Sequence, residues 1–368
     1  MKNLIIHAGL PKTGTSALQV FLARNRDALI AQSIDYLMLG EFDAGRAGRI
    51  SSGNAALLAR TMLPADHSIR LPGAAAQRDA LLRAVRASRC ETGLISSEFF
   101  ALDDPDMLRD FAAALHKAGI SVRLVYFVRA QDQLLASIYV QDVKRGWNQD
   151  APETYVRYFY RDLAYLKHAT FSETMAGIFG AANITPLIYE EMRDSEAGIC
   201  TGFLDAIGAK TGRTAPATLA AAAEDINTGL SGAEIAVMRE LNKYRPKMAF
   251  SDLLVSNSLQ SGASSHGVVH RFLPADLVAE INAYFAAENA AFARRHFGRD
   301  ILFPPRDDTG APPGNVHEIS AQDMVSILGG LLVRYDERLT ALEAGMAAGS
   351  SPGWRWLKRR LARLRKRG

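Results

Sequence analysis

The chain has only two cysteines in 368 residues, Cys90 and Cys200, and neither lies in a CxxC or Cys/His neighbourhood. That argues against a disulfide framework and leaves no sulfur-ligated metal site to expect. It suits a reducing compartment, and the cytoplasm is the expected location. Long apolar runs are also lacking, none approaching the roughly 20 residues that span a bilayer. The opening MKNLIIHAG carries a short apolar run that gives way to a Gly-Leu-Pro turn, so it reads as a first strand and not a signal peptide. Acidic residues are missing from one stretch. Residues 354–368 hold eight basic side chains and no acid, which leaves 35 basic groups against 39 acidic ones in residues 1–353. The body is therefore about −4 by formal count, and the net charge of +4 belongs to the tail. A body of that sign weighs against nucleic acid as the main partner.

What is present is an ordinary globular composition, 48% apolar and 22% charged. Strands are expected at Leu4–His7, Ile34–Met38, Gly93–Ser97, Val122–Val128 and Ile184–Tyr189. Helices are expected from about Thr15 with Leu18, Phe21, Leu22 and Leu29 on one side, and at Ala75–Ala87, Pro105–Lys117 and Gly198–Ile207. Further helices fall at 231–244, 275–297 and 320–343. Strands alternating with helices predict an α/β fold: a three-layer, mostly parallel, P-loop-like sheet flanked by helices, with a helical C-terminal part. Residues 1–343 form one domain in this reading, and 40–75 an acceptor-side insertion. Residues 344–353 read as a flexible linker and 354–368 as a basic amphipathic tail helix. Ligands of such sheets sit at the carboxyl ends of the strands.

The first loop fits that rule. Gly9-Leu-Pro11-Lys12-Thr13-Gly14-Thr15-Ser16 follows a strand and opens a helix, where unpaired backbone N–H groups make an anion site. The spacing approaches the GxxxxGK[ST] loop of nucleoside triphosphate enzymes, yet Thr15 stands where that loop has its lysine. The cation is Lys12, inside the loop, which suits a donor with one phosphate joined to one sulfuryl group. A second motif follows the strongest strand: Arg129 at its end and Ser137 eight residues on. The arginine fork matches a phosphate, and the serine adds a hydroxyl.

Together PKTGTS and Arg129…Ser137 resemble the 5′-phosphosulfate and 3′-phosphate motifs of the sulfotransferases that use 3′-phosphoadenosine 5′-phosphosulfate (PAPS). The proline usual after the arginine is absent here, where the text is Arg-Ala-Gln-Asp. Ile188-Tyr-Glu-Glu-Met192 ahead of FLDAIG, Asn227-Thr-Gly-Leu-Ser231 and AENAAFARRHFG are similar to bacterial carbohydrate-type members. The resemblance implies a sulfotransferase domain that carries sulfuryl from PAPS to a hydroxyl, with no metal. It implies donor contacts from Pro11, Lys12, Thr13, Gly14, Thr15, Ser16, Arg129 and Ser137, with Asn227 and Ser231 as further nucleotide contacts. Glu190 and Glu191 read as structural.

The acceptor hydroxyl must lose a proton, so a base is expected nearby. Glu98, after Ser96-Ser97 at a strand end, is the candidate, and His7 beside the first loop is its rival. Lys12 completes the catalytic set. Arg46, Arg49, Ser51, Ser52, Asn54, Arg60 and His67 give residues 40–75 the polarity to face an anionic glycan. Of Trp147, Tyr155, Tyr158, Phe159 and Tyr160, half are expected in the core and the rest could stack on a sugar. The tail, with Trp354, Trp356 and Leu357, could lie peripherally on the inner face of a membrane of anionic lipid. Two other readings stand beside this one: a P-loop kinase or NTPase, and a catalytically silent nucleotide-binding protein associated with membranes.

Overall fold

The computed structural model describes residues 3–209, 230–244, 272–305 and 320–347, together with Leu254. They divide between two compact units. The first holds the described residues up to Tyr139, from Asp150 to Ala209 and from Phe272 to Pro305; the second holds Val140–Gln149, Leu230–Tyr244, Leu254 and 320–347. Asn227 and the tail 354–368 lie outside the described residues.

The first unit is built on five parallel strands: β1 (Asn3–Ala8), β2 (Ile34–Tyr36), β3 (Thr92–Ser97), β4 (Ser121–Val128) and β5 (Ile184–Ile188). Their order is β2-β3-β1-β4-β5, all parallel. Both faces are covered, as an all-parallel sheet requires. The side chains of β1 alternate accordingly. Leu4, Ile6 and Ala8 enter one core with Leu124 and Tyr126, and Ile5 enters the other with Val125 and Phe127.

Helices α1 (Thr15–Arg24) and α2 (Arg26–Ile30) form on the second face. The single helix expected from Thr15 to Leu29 is broken at Asn25, whose amide Nδ2 donates to the carbonyl of Phe21 at 2.8 Å and ends the first helix. Two short helices, α3 (Phe42–Arg46) and α4 (Ala56–Ala59), occupy the expected insertion. Ala55, Ala56, Leu58, Ala59, Met62 and Leu63 within it are buried, so part of the segment is core.

Helices α5 (Ala74–Ala87) and α6 (Pro105–Lys117) cover the first face. The start of α6 was legible. Asp104 accepts from the N–H groups of Asp106 and Met107, and Pro105 begins the helix, where its missing N–H costs nothing. Helix α7 (Gln131–Lys144) follows β4 and α8 (Pro152–Phe159) follows it. Then come α9 (His168–Phe179), α10 (Tyr189–Asp194) and α11 (Gly198–Ala206). Tyr189 begins a helix and does not end the strand, a difference that matters for the site.

In the second unit α12 (Gly232–Tyr244) packs on α14 (Ala321–Ala347), while α13 (Ala275–Phe297) belongs to the first. Asn242 fastens α12 by donating to the carbonyls of Val143 at 2.8 Å and Asn148 at 3.0 Å. Helix α14 runs on to Ala347, past residue 344 where the linker was expected to begin.

Candidate functional site

The strand order fixes where a ligand can sit. From β1 the chain travels outward to β2 and returns through β3, then crosses β1 to reach β4 and β5. The connections therefore diverge on either side of the gap between β1 and β4, the position at which open α/β sheets bind ligands. The loops that leave these two strands carry Lys12 and Arg129.

The β1 loop is shaped by close approaches. A Cβ at Gly9 would lie 2.3 Å from Cγ2 of Thr15, and the Gly9 N–H donates to the Ser97 carbonyl at 3.0 Å. Gly14 caps α1 in a left-handed conformation, φ 76°, with Ile199 and Tyr189 against it. Lys12 also has positive φ, 61°, uncommon for a residue with a side chain and frequent where function over-determines the backbone. No side chain caps α1 and no acid lies in its first turn, so its N–H groups remain available to an anion. The threonine hydroxyls turn inward. Thr13 donates to the Leu10 carbonyl at 2.7 Å and Thr15 to the same oxygen at 3.4 Å. Both hydroxyls thereby hold the loop together. Pro11 and Ser16 are half-buried beside them.

Arg129 closes the gap. Its Nη1 donates to the Lys12 carbonyl at 2.5 Å, and its guanidinium lies over the ring of Tyr189, 4.8 Å from the centroid. Its Nε is buried without a hydrogen-bond partner. Burial pushes the guanidinium below its ordinary range, opposed by the Tyr189 and Glu190 side chains, with Arg193 adding to the depression. A half-buried arginine with a buried, unanswered Nε–H beside an uncapped helix start forms a field that an anion would satisfy.

Three further residues place this arginine. Glu190 accepts from the Ala130 N–H at 3.0 Å, while burial raises its carboxyl despite that bond and despite Arg129. His168 Nε2 donates to the Arg129 carbonyl at 3.2 Å, and burial lowers its pKa to about 4. Tyr189 supplies the floor. Ser137 is buried within α7, two turns after Arg129.

The β3 side is different. Ser97 caps the 3-10 turn Glu98–Ala101 by accepting from Phe99 at 3.2 Å. Glu98 is partly exposed and accepts from the Ser52 hydroxyl at 3.1 Å, which brings residues 40–75 to the candidate base. His7 is wholly buried. Its Nδ1 meets the Ser96 hydroxyl at 2.9 Å, its ring lies edge-on to Phe203 and Phe127, and burial lowers its pKa to about 3. A histidine with no exposed surface cannot reach an acceptor hydroxyl, so its position favours packing over proton transfer.

Ser231 belongs to the second unit. Its Oγ accepts from the Glu234 N–H at 3.3 Å and its N–H donates back to Glu234 at 2.7 Å. That is a capping box at the start of α12, a structural use that Ser-Gly-Ala-Glu announces. Among the described residues no group of three or more His, Cys, Asp or Glu is placed to hold a metal ion. No helix among them is long and apolar enough to cross a membrane. Trp147 and Tyr158 are exposed and Tyr160 is buried, while Tyr155 and Phe159 pack edge-to-face, 4.5 Å between centroids.

No family model and no curated protein matches the chain. Among solved structures, a sulfotransferase from Alicyclobacillus acidocaldarius aligns at 15% identity and a TM-score of 0.44, over 78% of this chain and 93% of that one. The sulfotransferase domain from the curacin biosynthetic pathway aligns at 12% identity and a TM-score of 0.32, over 77% of this chain and 96% of that one. Both scores lie below one half.

Proposed function

We propose that the chain transfers a sulfuryl group from PAPS to a hydroxyl of a carbohydrate or glycolipid acceptor. The observation that carries this reading is the hydrogen bond from Arg129 to the Lys12 carbonyl, which joins two oxyanion-binding loops at the switch point of the sheet. A donor with a 5′-phosphosulfate and a 3′-phosphate needs two such loops side by side.

In this reading the start of α1 and Lys12 receive the phosphosulfate, and Arg129 with Ser137 receives the 3′-phosphate. The acceptor oxygen attacks sulfur as the bond from sulfur to the bridging phosphate oxygen breaks. Glu98 takes the acceptor's proton, and 3′-phosphoadenosine 5′-phosphate leaves. Lys12 and the helix start hold the charge that develops on the leaving oxygen, a task for which one preorganised donor supplies about 3 kcal/mol. Support for a polar, anionic acceptor comes from Ser52 on Glu98 and from the exposed Arg46 and Arg49 of the same segment. The membrane role of residues 354–368 rests on sequence alone.

Calorimetry with 3′-phosphoadenosine 5′-phosphate in the presence of a chelator tests the reading. Binding tighter than that of ATP, together with transfer of labelled sulfate from PAPS to an acceptor from a glycan panel, is the expected result. Preference for ATP with Mg²⁺ would transfer the site to the kinase reading, and binding without transfer to any acceptor would favour the silent one.

A further inference from the structure

Helix α14 of the second unit has two apolar faces. Ile327 and Leu331 are buried on the first, and α14 packs against α12. The second is open to solvent. Val325, Leu328, Leu332, Tyr335, Leu339 and Leu342 are between 37% and 73% exposed. Their spacing is 3-4-3-4-3, an unbroken heptad seam over two and a half repeats. Single exposed leucines need no explanation, but a stripe of five exposed aliphatic side chains in register with Tyr335 does, because monomers seldom carry such a patch on their surface. Each side chain would lose on the order of 100 Å² on pairing. Two seams together would thus remove on the order of 1,000 Å², the size at which a specific interface begins.

We infer that α14 pairs with α14 of a second copy of this chain in a parallel, two-stranded coiled coil. The residues flanking the seam choose the partner and its direction. With Val325, Leu332 and Leu339 at the a positions, Leu328, Tyr335 and Leu342 occupy d; the first heptad, Val325 with Leu328, has the β-branched a and leucine d that favour two strands. The g position Arg338 then faces the e position Glu343 of the second copy, on both sides of the pair. All three charges at these flanks, Asp336, Arg338 and Glu343, are exposed. An antiparallel pair would set the acidic e positions against each other. A membrane surface fits less well, since residues 321–347 carry four acids against two arginines and would be repelled by anionic lipid.

Sedimentation equilibrium of the full-length chain tests the inference. A concentration-dependent dimer is expected. Leu332→Glu and Leu339→Glu should each raise its dissociation constant about 100-fold or more with the far-ultraviolet helix signal unchanged. Arg338→Glu and Glu343→Arg should each weaken the dimer several-fold, and the two combined should restore it, which a mere folding defect would not do. Leu332→Cys should cross-link to itself between copies on oxidation, beyond any background from the unsubstituted chain. A chain that stays monomeric at about 100 µM, a dimer indifferent to Leu332→Glu, or a charge-reversed double variant that stays as weak as its parents would each overturn the proposal. So would Leu332→Cys that fails to cross-link within a dimer.

Discussion

The two flanks of β1 bury polar groups in opposite ways. On the β3 side the groups are neutral. The Ser96 hydroxyl meets His7 at 2.9 Å and Gln19 at 3.1 Å, and the Ser96 N–H donates to Asn54 at 2.8 Å. Asn54 in turn donates to the carbonyls of Leu37 and Leu94. On the β4 side the groups are charged: Arg129 over the Tyr189 ring and Glu190 next to it, with a buried Arg129 N–H and a buried Glu190 oxygen left unpartnered. The neutral flank also leaves two buried atoms unpartnered, His7 Nε2 and Gln19 Oε1, while its remaining bonds fasten the sheet to its loops. An unanswered charge costs more to bury than an unanswered neutral group, which suits the charged flank to a charged ligand.

Substitutions on the two flanks should therefore fail differently. The largest effect is expected from Lys12→Ala. Turnover should fall about 100- to 1,000-fold, while the midpoint of thermal unfolding stays within a degree or two of the parent's. Loss of stability instead would place Lys12 with the fasteners.

The next effect belongs to the neutral flank and is one of stability. His7 has its pKa lowered to about 3 in the folded chain, against 6.5 when solvated. The unfolded chain therefore takes up a proton as pH falls below 6.5 and the folded chain does not. The stabilisation that a neutral His7 permits is complete above pH 6.5 and is lost as pH falls toward 3. Between pH 7 and pH 5 the loss is about 2 kcal/mol by linkage. Denaturant unfolding of the parent and of His7→Gln at both pH values should show the substituted chain to be less acid-sensitive by about that amount. An equal acid sensitivity would mean that His7 is not the buried neutral group described.

The smallest effect returns to the charged flank. Glu190→Gln keeps an oxygen for the Ala130 N–H and removes a negative charge from beside Arg129. Affinity for 3′-phosphoadenosine 5′-phosphate should rise about threefold, a change in keeping with one screened charge at the edge of a site. Unchanged affinity would separate Glu190 from the anion field.

Much of this was legible in the sequence. The apolar runs of β1 and β4 place both strands to within a residue, and PKTGTS and Arg129…Ser137 mark the two loops. Pro105 opens α6 and Gly119 follows its end, whereas the resemblance assigns Ser231 to the nucleotide and passes over the Ser-Gly-Ala-Glu cap of α12. What the sequence withheld is long-range. Nothing near Tyr189 says that it lies under a guanidinium 60 residues earlier in the chain, because that follows from the pairing of β4 with β5. Residues 40–75 looked like a polar insertion because their helices of four or five residues are too short to show a period. Their buried half, centred on Asn54 and Ala55, is held by β3, from which they are far removed in sequence. His7 read as a rival base for a related cause. Its place at a strand end suggested access, and only the packing of Phe127 and Phe203 shows that it has none.

A trans peptide is rigid, and its oxygen and amide hydrogen project from opposite edges of one plane. By gripping the oxygen between Lys12 and Thr13, Arg129 also dictates the heading of the Thr13 amide hydrogen. Residue 129 therefore steers, from 117 positions away along the chain, a dipole inside the first loop. The two loops cannot be tuned one at a time.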